Sequence, residues 1–361
     1  GVNEFDFVMP TWSMSNETVN NNSLQRNLYY QINLNYSRSF HKHSVTGLAI
    51  FDRRQTAAGS EFAHFQEDWV GRVTYNYDSR YFAEFNGAYN GSEKFAPKYR
   101  FGFFPSAALG WMISNESFMQ KFSWIDNLKL RGSIGAVGSD LGIPRWGYIG
   151  SWLFPGTAGY FMGMDGIARQ LSPYSNYAEG VIANPDIRWE TAIKENIGVD
   201  FSAFNNKITL TGDVFHERRK NIFMTASRRN IPVTFGAPPV PANLGETETH
   251  GYEFTVGYNK RNAGGFGYNV SLSMTRAIDK VVKYEDPELL GGYQKVVNFQ
   301  IGQVKSQVND GFMNTWDDVY GSVRGVSNMP VRMPGDWDLI DYNGDGVVDN
   351  FDVVPYGFTN R

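Results

Sequence analysis

The stretch KENIGVDFSAFNNKITLTGDVF, residues 194–215, decides the fold. Read in steps of two, Glu195, Ile197, Val199, Phe201 and Ala203 share one face, and Lys194, Asn196, Gly198, Asp200 and Ser202 share the other. After Asn205-Asn206-Lys207 the pattern restarts, with Ile208, Leu210, Gly212 and Val214 opposing Thr209, Thr211 and Asp213. A period of two puts successive side chains on opposite faces of a strand. Two such runs around a short polar break read as an antiparallel hairpin.

The same alternation recurs outward from this hairpin. Leu28, Tyr30, Ile32, Leu34 and Tyr36 form one apolar face, as do Tyr252, Phe254, Val256 and Tyr258, and then Tyr268, Val270, Leu272 and Met274. Weaker versions lie at 71–77, 81–89 and 128–134. This predicts about ten strands between residues 28 and 278, many of them roughly ten residues long. That length suits a tilted strand crossing a bilayer, whereas soluble strands more often stop near five or six residues. The links differ in kind. Tight connections at 78–80 and 205–207, and a slightly longer one at 260–266, alternate with long ones expected at 52–68, 90–99, 138–191, 218–247 and beyond 279. Long unstructured loops are uncommon in compact soluble domains, but short turns at one end and long loops at the other are what an outer-membrane barrel has.

The expectation is therefore all-β: an antiparallel meander forming part of a transmembrane β-barrel, with long extracellular loops at 138–191 and 279–340. Ile197, Val199, Phe201, Leu210 and Val214 should face lipid. Lys129, Arg131, Lys194, Asp200 and Asp213 should face a water-filled interior, since charge on the lipid face is destabilising.

Composition agrees. Aromatic residues make up 16% of the 361 residues and glycine contributes 38, a mix that favours strands and turns. With 33 basic against 37 acidic side chains the chain lacks the basic excess of a nucleic-acid partner. The absence of cysteine excludes disulfides and thiolate chemistry. No stretch reads as a spanning helix, since the run 146–164 holds five glycines and Pro155. No signal peptide opens the chain at GVNEFDFVMP, and both ends read as cut from a longer protein.

Three strings carry a family resemblance. They are FPSAALGWMISNESFMQKFSWIDNLKLRGSIGAVG (104–138), NPDIRWETAIKENIGVDFSAFNNKITLTGDVF (184–215) and PGDWDLIDYNGDGVVDNFDVVPYG (334–357). Together, and in this order, they resemble SusC/RagA-like TonB-dependent outer-membrane transporters. The resemblance implies a barrel of about 22 strands around an N-terminal plug, importing oligosaccharides or peptides beneath a SusD-like surface lipoprotein, with energy from TonB. It implies that residues 1–361 are a middle portion of the barrel, without plug or terminal strands, and that outer-membrane lipid is its surrounding. Two rivals stand beside it: a barrel that binds without transporting, as a receptor or adhesin, and a soluble calcium-dependent carbohydrate-binding β-protein.

The sharpest chemical motif is the loop from Asp341 to Asp352. Asp341, Asn343, Asp345, Asp349 and Asp352 occupy positions 1, 3, 5, 9 and 12, the carbonyl of Val347 position 7, and Gly346 position 6. That is the oxygen spacing of a calcium loop. It departs at position 12, where Asp352 replaces the longer glutamate, and no helical pattern flanks it. A polar turn bent by Asn-Gly and Asp-Gly is the competing reading. Aromatic residues cluster in the long links at Trp146, Tyr148, Trp152, Tyr160 and Phe161, and again at Trp316, Tyr320 and Trp337. Flat rings there suit contact with a sugar or peptide, or simply pack the loops. His41 and His43 fall in a tight turn, where solvation is the simpler account. No nucleophile motif or phosphate loop appears, so no catalysis is expected.

Overall fold

The computed structural model describes residues 24–153, 178–180, 182–236, 239–261, 265–325 and 332–357. Ten long strands form one sheet: β1 (Gln25–Phe40), β2 (His43–Ala58), β3 (His64–Tyr77), β4 (Tyr81–Ser92), β5 (Phe101–Met112), β6 (Ile125–Ser139), β9 (Glu190–Ala203), β10 (Ile208–Met224), β11 (Ala242–Arg261) and β12 (Gly267–Lys283). Between β6 and β9 lie the two-residue strands β7 (Trp152–Leu153) and β8 (Ala178–Glu179). The order β1-β2-β3-β4-β5-β6-β9-β10-β11-β12 is a plain meander, and each neighbouring pair is antiparallel.

One face carries two aromatic belts. Tyr77, Tyr81 and Trp111 are register neighbours near one end, and Trp69, Tyr89 and Phe103 near the other. Along each of β3, β4 and β5 the step between belts is eight residues. At about 3.3 Å per residue that is roughly 26 Å along the strand, or about 20 Å after a ~40° tilt, close to the apolar height of a barrel wall. Between the belts the face holds Val73, Phe85, Leu109, Leu130, Ile197, Val214, Val256 and Leu272, all exposed. Beyond the second belt it turns charged, at Arg53 on β2 and Glu67 on β3; farther round, the same face carries Glu195 on β9 and His216 on β10. Apolar between aromatic rings and charged above them is the profile of a surface that meets hydrocarbon.

The tight turns between β1 and β2, β3 and β4, and β9 and β10 join strands at the first belt. His41, Asp78, Ser79, Phe204, Asn205 and Asn206 adopt positive φ there, between 51° and 59°. Asn and Asp tolerate that region best, which is why the polar breaks between strands are so short. The longer link from β5 to β6 closes the same end through two 3-10 turns, Ile113–Asn115 and Ser117–Lys121. It is tied to its neighbours by Asn115 Nδ2 donating to the Ser79 carbonyl at 2.8 Å and by Phe204 N donating to the Trp124 carbonyl at 2.8 Å.

At the opposite end the loops build their own small core. Phe95, Ile143, Ile187 and Phe223 come from four different connections and strand ends, with Tyr99 and Trp189 packed against them. Residues 284–357 add three two-stranded pairs: β13 (Val304–Ser306) with β18 (Val354–Gly357), β14 (Asn309–Phe312) with β16 (Trp337–Leu339), and β15 (Arg324–Gly325) with β17 (Val347–Val348). A short helix, α1 (Trp316–Gly321), begins with a capping box in which Thr315 and Asp318 bond each other's backbone amides.

Two of the expected long links are shorter than their polarity suggested. Residues 52–58 and 64–68 belong to β2 and β3, leaving only 59–63 as a turn, and the link at 218–247 shrinks to 225–241. The ladder is made by backbone groups, so it continues through Arg53, Arg54 and Gln55 after the apolar alternation has stopped.

Candidate functional site

The face opposite the belts is polar, and its charged groups are brought together by register. Lys129 opposes Asp200, Arg131 opposes Gly198, and Gly198 opposes Asp213. Arg131 therefore reaches across β9 to two aspartates: Nε donates to Asp200 Oδ2 at 3.2 Å and Nη2 to Asp213 Oδ2 at 2.6 Å. Gly198 makes the crossing possible, because a Cβ there would sit 2.5 Å from Asp213 Oδ1 and 2.7 Å from the Arg131 Cζ. The Asp213 side chain is only 6% exposed, and its Oδ1 has no hydrogen-bond partner among the described residues. Two carboxylates share one guanidinium, and Lys129 opposite Asp200 brings a second positive charge to the patch.

A cavity of about 350 Å³ adjoins the patch, lined among others by Phe82, Glu84, Lys129, Arg131 and Asn196. The Lys129 ammonium lies 5.2 Å from the centre of the Phe82 ring, and Arg72 pairs with Glu84 at 2.8 Å. Lys194 pairs with Glu217 at 3.2 Å. All five charged residues expected on the polar side thus lie there. Phe82, Glu84, Arg72 and Asn196 were not singled out by the sequence reading, because their partners sit on other strands and only register joins them.

The loop aromatics do not form one site. Trp146 and Tyr148 line a cavity with Arg53, Phe65, Arg100 and Phe101. Trp152 lies on β7 and is 69% exposed. Tyr160 and Phe161 lie outside the described residues. Trp316 and Tyr320 stand on α1 with ring centres 6.2 Å apart, and Trp337 stacks on Phe312 at 4.5 Å.

A charged knot ties the loops at this end. Arg145 donates to the carbonyls of Phe62 and Ala63 at 2.7 Å each, pairs with Glu93 at 2.9 Å, and lies over the Trp146 ring. His64 approaches Glu93 at 2.8 Å and Glu61 at 2.5 Å. Farther round, Arg229 holds Glu285 through Nε and Nη2, and that guanidinium keeps the Glu285 carboxyl below its usual range.

The 341–352 loop is closed by its own backbone. Asp341 accepts from the amides of Gly344, Asp345 and Gly346, at 2.7 Å for the first and last. Asp352 is fully buried and accepts from Tyr342, Asn343 and Asp349. Asn343 Nδ2 donates to Asp345 Oδ2 at 2.9 Å, and Asp349 accepts from Phe351 N. Among the described residues no three His, Cys, Asp or Glu side chains converge in a way that could hold a metal. The glycines are required here: Gly344 and Gly346 have φ of 73° and 86°.

Comparison with known proteins gives a consistent picture. Residues 4–354 match the family described as "TonB dependent receptor-like, beta-barrel". The chain is 24% identical over 296 residues to the TonB-dependent receptor SusC of Bacteroides thetaiotaomicron, covering 80% of this chain and 28% of that protein. It is 26% identical over 323 residues to the TonB-dependent receptor P26 of Formosa agariphila, covering 86% and 31%. Among solved structures, that of the RagAB peptide importer in its "closed-closed" state superposes with a TM-score of 0.68 at 13% identity, covering 92% of this chain and 38% of that one. The chain thus spans between 28% and 38% of the length of these relatives.

Proposed function

This chain belongs to the TonB-dependent receptor β-barrel family, an outer-membrane family of transporters rather than enzymes, and on that premise we propose that it forms part of the wall of a SusC-like importer. The observation that carries this reading is the split of one ten-stranded meander into a belted apolar face and a charged face centred on Arg131, Asp200 and Asp213. The apolar face meets lipid. The charged face lines the passage and contacts the solute or the plug of the complete protein.

The solute class is an oligosaccharide or a peptide. Trp152, Trp316 and Tyr320, exposed on the loops, are the proposed contacts, with Tyr160 and Phe161 beside them on sequence grounds. A SusD-like lipoprotein would close over these loops, and TonB would act on parts of the protein outside this chain. Calcium in the 341–352 loop remains a proposal from spacing: Asp341, Asn343, Asp345, Asp349, Asp352 and the Val347 carbonyl would hold it. The Asn343–Asp345 contact would have to open for the ion to enter.

Uptake of fluorescent oligosaccharides and peptides by cells with and without the full-length gene tests the reading. Import should vanish on deletion and on collapsing the proton-motive force. Surface binding that persists without import, whatever the energy state, would favour a non-transporting receptor.

A further inference from the structure

The cavity lined by Trp146 and Tyr148 lies on the wrong side of the sheet for a solute passing through the barrel. Its floor is the row Arg53–Glu67–Gly91–Phe101, register neighbours across β2 to β5. Two residues lower on the same face lies the belt Phe51–Trp69–Tyr89–Phe103. The cavity, about 460 Å³, therefore opens outward one pleat, roughly 7 Å, above the belt. That is the depth of lipid headgroups.

Its charges are unbalanced in a specific way. Glu93 is held by Arg145 and His64, whereas Glu67, the register partner of Arg53, bonds the neutral Trp69 Nε1 at 3.0 Å and keeps its charge, so two arginines face one uncompensated carboxylate. Neither arginine has a carboxylate partner among the described residues. Arg53 lies 5.4 Å over the Phe65 ring, and the buried Nε of Arg100 has no acceptor. Two unpaired guanidinium groups in an aromatic-walled pocket suit a phosphate, which takes charge-assisted, bidentate bonds from arginine.

Below the cavity the same face provides room for a chain. Ala49, Gly71 and Gly87 are register neighbours beside Leu34 and Phe85; the Phe103 ring lies over Gly87, so the open part of the row is Ala49 and Gly71. A Cβ at Gly71 would meet nothing within 4 Å. The trough is about 490 Å³ and shares its upper wall with the belt.

We propose that this face binds a phosphorylated acyl lipid of the outer leaflet, its phosphate between Arg53 and Arg100 and one acyl chain along Ala49 and Gly71, against the edge of the Phe103 ring. Trp146 and Tyr148 cover the headgroup from the loop side. The proposal rests on the apolar face meeting lipid, but not on import, so it stands or falls independently of transport.

The test is native mass spectrometry of the detergent-purified full-length protein titrated with diphosphorylated lipid A and, separately, with its dephosphorylated form. Barrel folding of each variant is checked by heat-modifiable gel migration. Wild type should retain the phosphorylated form at least tenfold more tightly than the dephosphorylated one. The double variant Arg53→Gln/Arg100→Gln should lose that preference, Arg53→Lys/Arg100→Lys should keep part of it, and Gly71→Leu should weaken both lipids alike. Equal retention by wild type and the glutamine variant would overturn the proposal. So would full displacement of the lipid by millimolar inorganic phosphate, which would make the pocket a site for a soluble anion.

Discussion

Arg131 Nη2 lies 2.6 Å from Asp213 Oδ2, although the two residues stand on strands separated by β9. The guanidinium passes over Gly198, the register partner of both. This makes three strands of the wall electrostatically interdependent, and it fixes what substitution at each position should do.

Gly198→Ala should therefore act like loss of the ion pair itself, since its methyl group would occupy the space of Asp213 Oδ1. Arg131→Leu leaves the nearly buried Asp213 uncompensated and should destabilise the barrel by about 2 kcal/mol. Arg131→Leu/Asp213→Leu should recover much of that loss. Urea unfolding of the full-length protein in detergent reads all three, and an unchanged midpoint in Arg131→Leu would remove the pair from the account.

Charge on the belted face should be costly and charge on the polar face should not. Ile197→Arg or Val214→Arg, at positions 66% and 64% exposed between the belts, should cost about 2–4 kcal/mol in a bilayer. Thr211→Arg, facing the other way, should fold normally. Folding into lipid vesicles followed by denaturant titration compares them; equal cost at Val214 and Thr211 would mean the faces are misassigned.

The Arg229–Glu285 clamp should loosen in acid. Its carboxyl has a lowered pKa in the folded protein, so the contact is fully present above the ordinary glutamate value of about 4.3 and is lost as pH falls through the folded value below it. The pair is partly exposed, 14% and 31%, so its worth is about 1 kcal/mol at most. Limited proteolysis of the 225–241 link with an acid-active protease should accelerate below pH ~4, and Glu285→Gln should abolish that acceleration. Cleavage independent of pH in wild type would show that the clamp does not hold the link.

Calcium gives a sharp alternative at the 341–352 loop. Extracellular modules with such loops bind at about 10⁻⁴–10⁻³ M, so calorimetry on the full-length protein should show heat that Asp345→Ala removes. The same heat in both, or none in either, would leave a turn closed by the hydrogen bonds of Asp341 and Asp352.

The wall was legible in the sequence because its two faces meet different solvents, so alternation at Ile197–Phe201 and Ile208–Val214 reports burial in lipid directly. Strand ends were not. Above the belt both faces are wet, the alternation disappears, and Arg53 to Ala58 look like loop although they are paired. The charged residues of the inner face were legible one by one, but not as the Arg131–Asp200–Asp213 cluster, since register across 69 and 82 residues of separation leaves no local mark. Trp146 and Tyr148 were found as aromatics, whereas the side of the sheet they cover depends on the Arg145 knot with Glu93 and His64, whose members lie in two connections and at the start of β3.

The most direct test of the central claim, that this meander is an outer-membrane wall with short turns inside and long loops outside, is cysteine labelling on intact cells. Tyr320, 81% exposed on α1, and Asn206, in the turn between β9 and β10, sit in a chain without native cysteine. An impermeant maleimide should label Tyr320→Cys on intact cells and Asn206→Cys only after the outer membrane is opened. Labelling of Asn206→Cys on intact cells to the same extent as Tyr320→Cys would contradict the account.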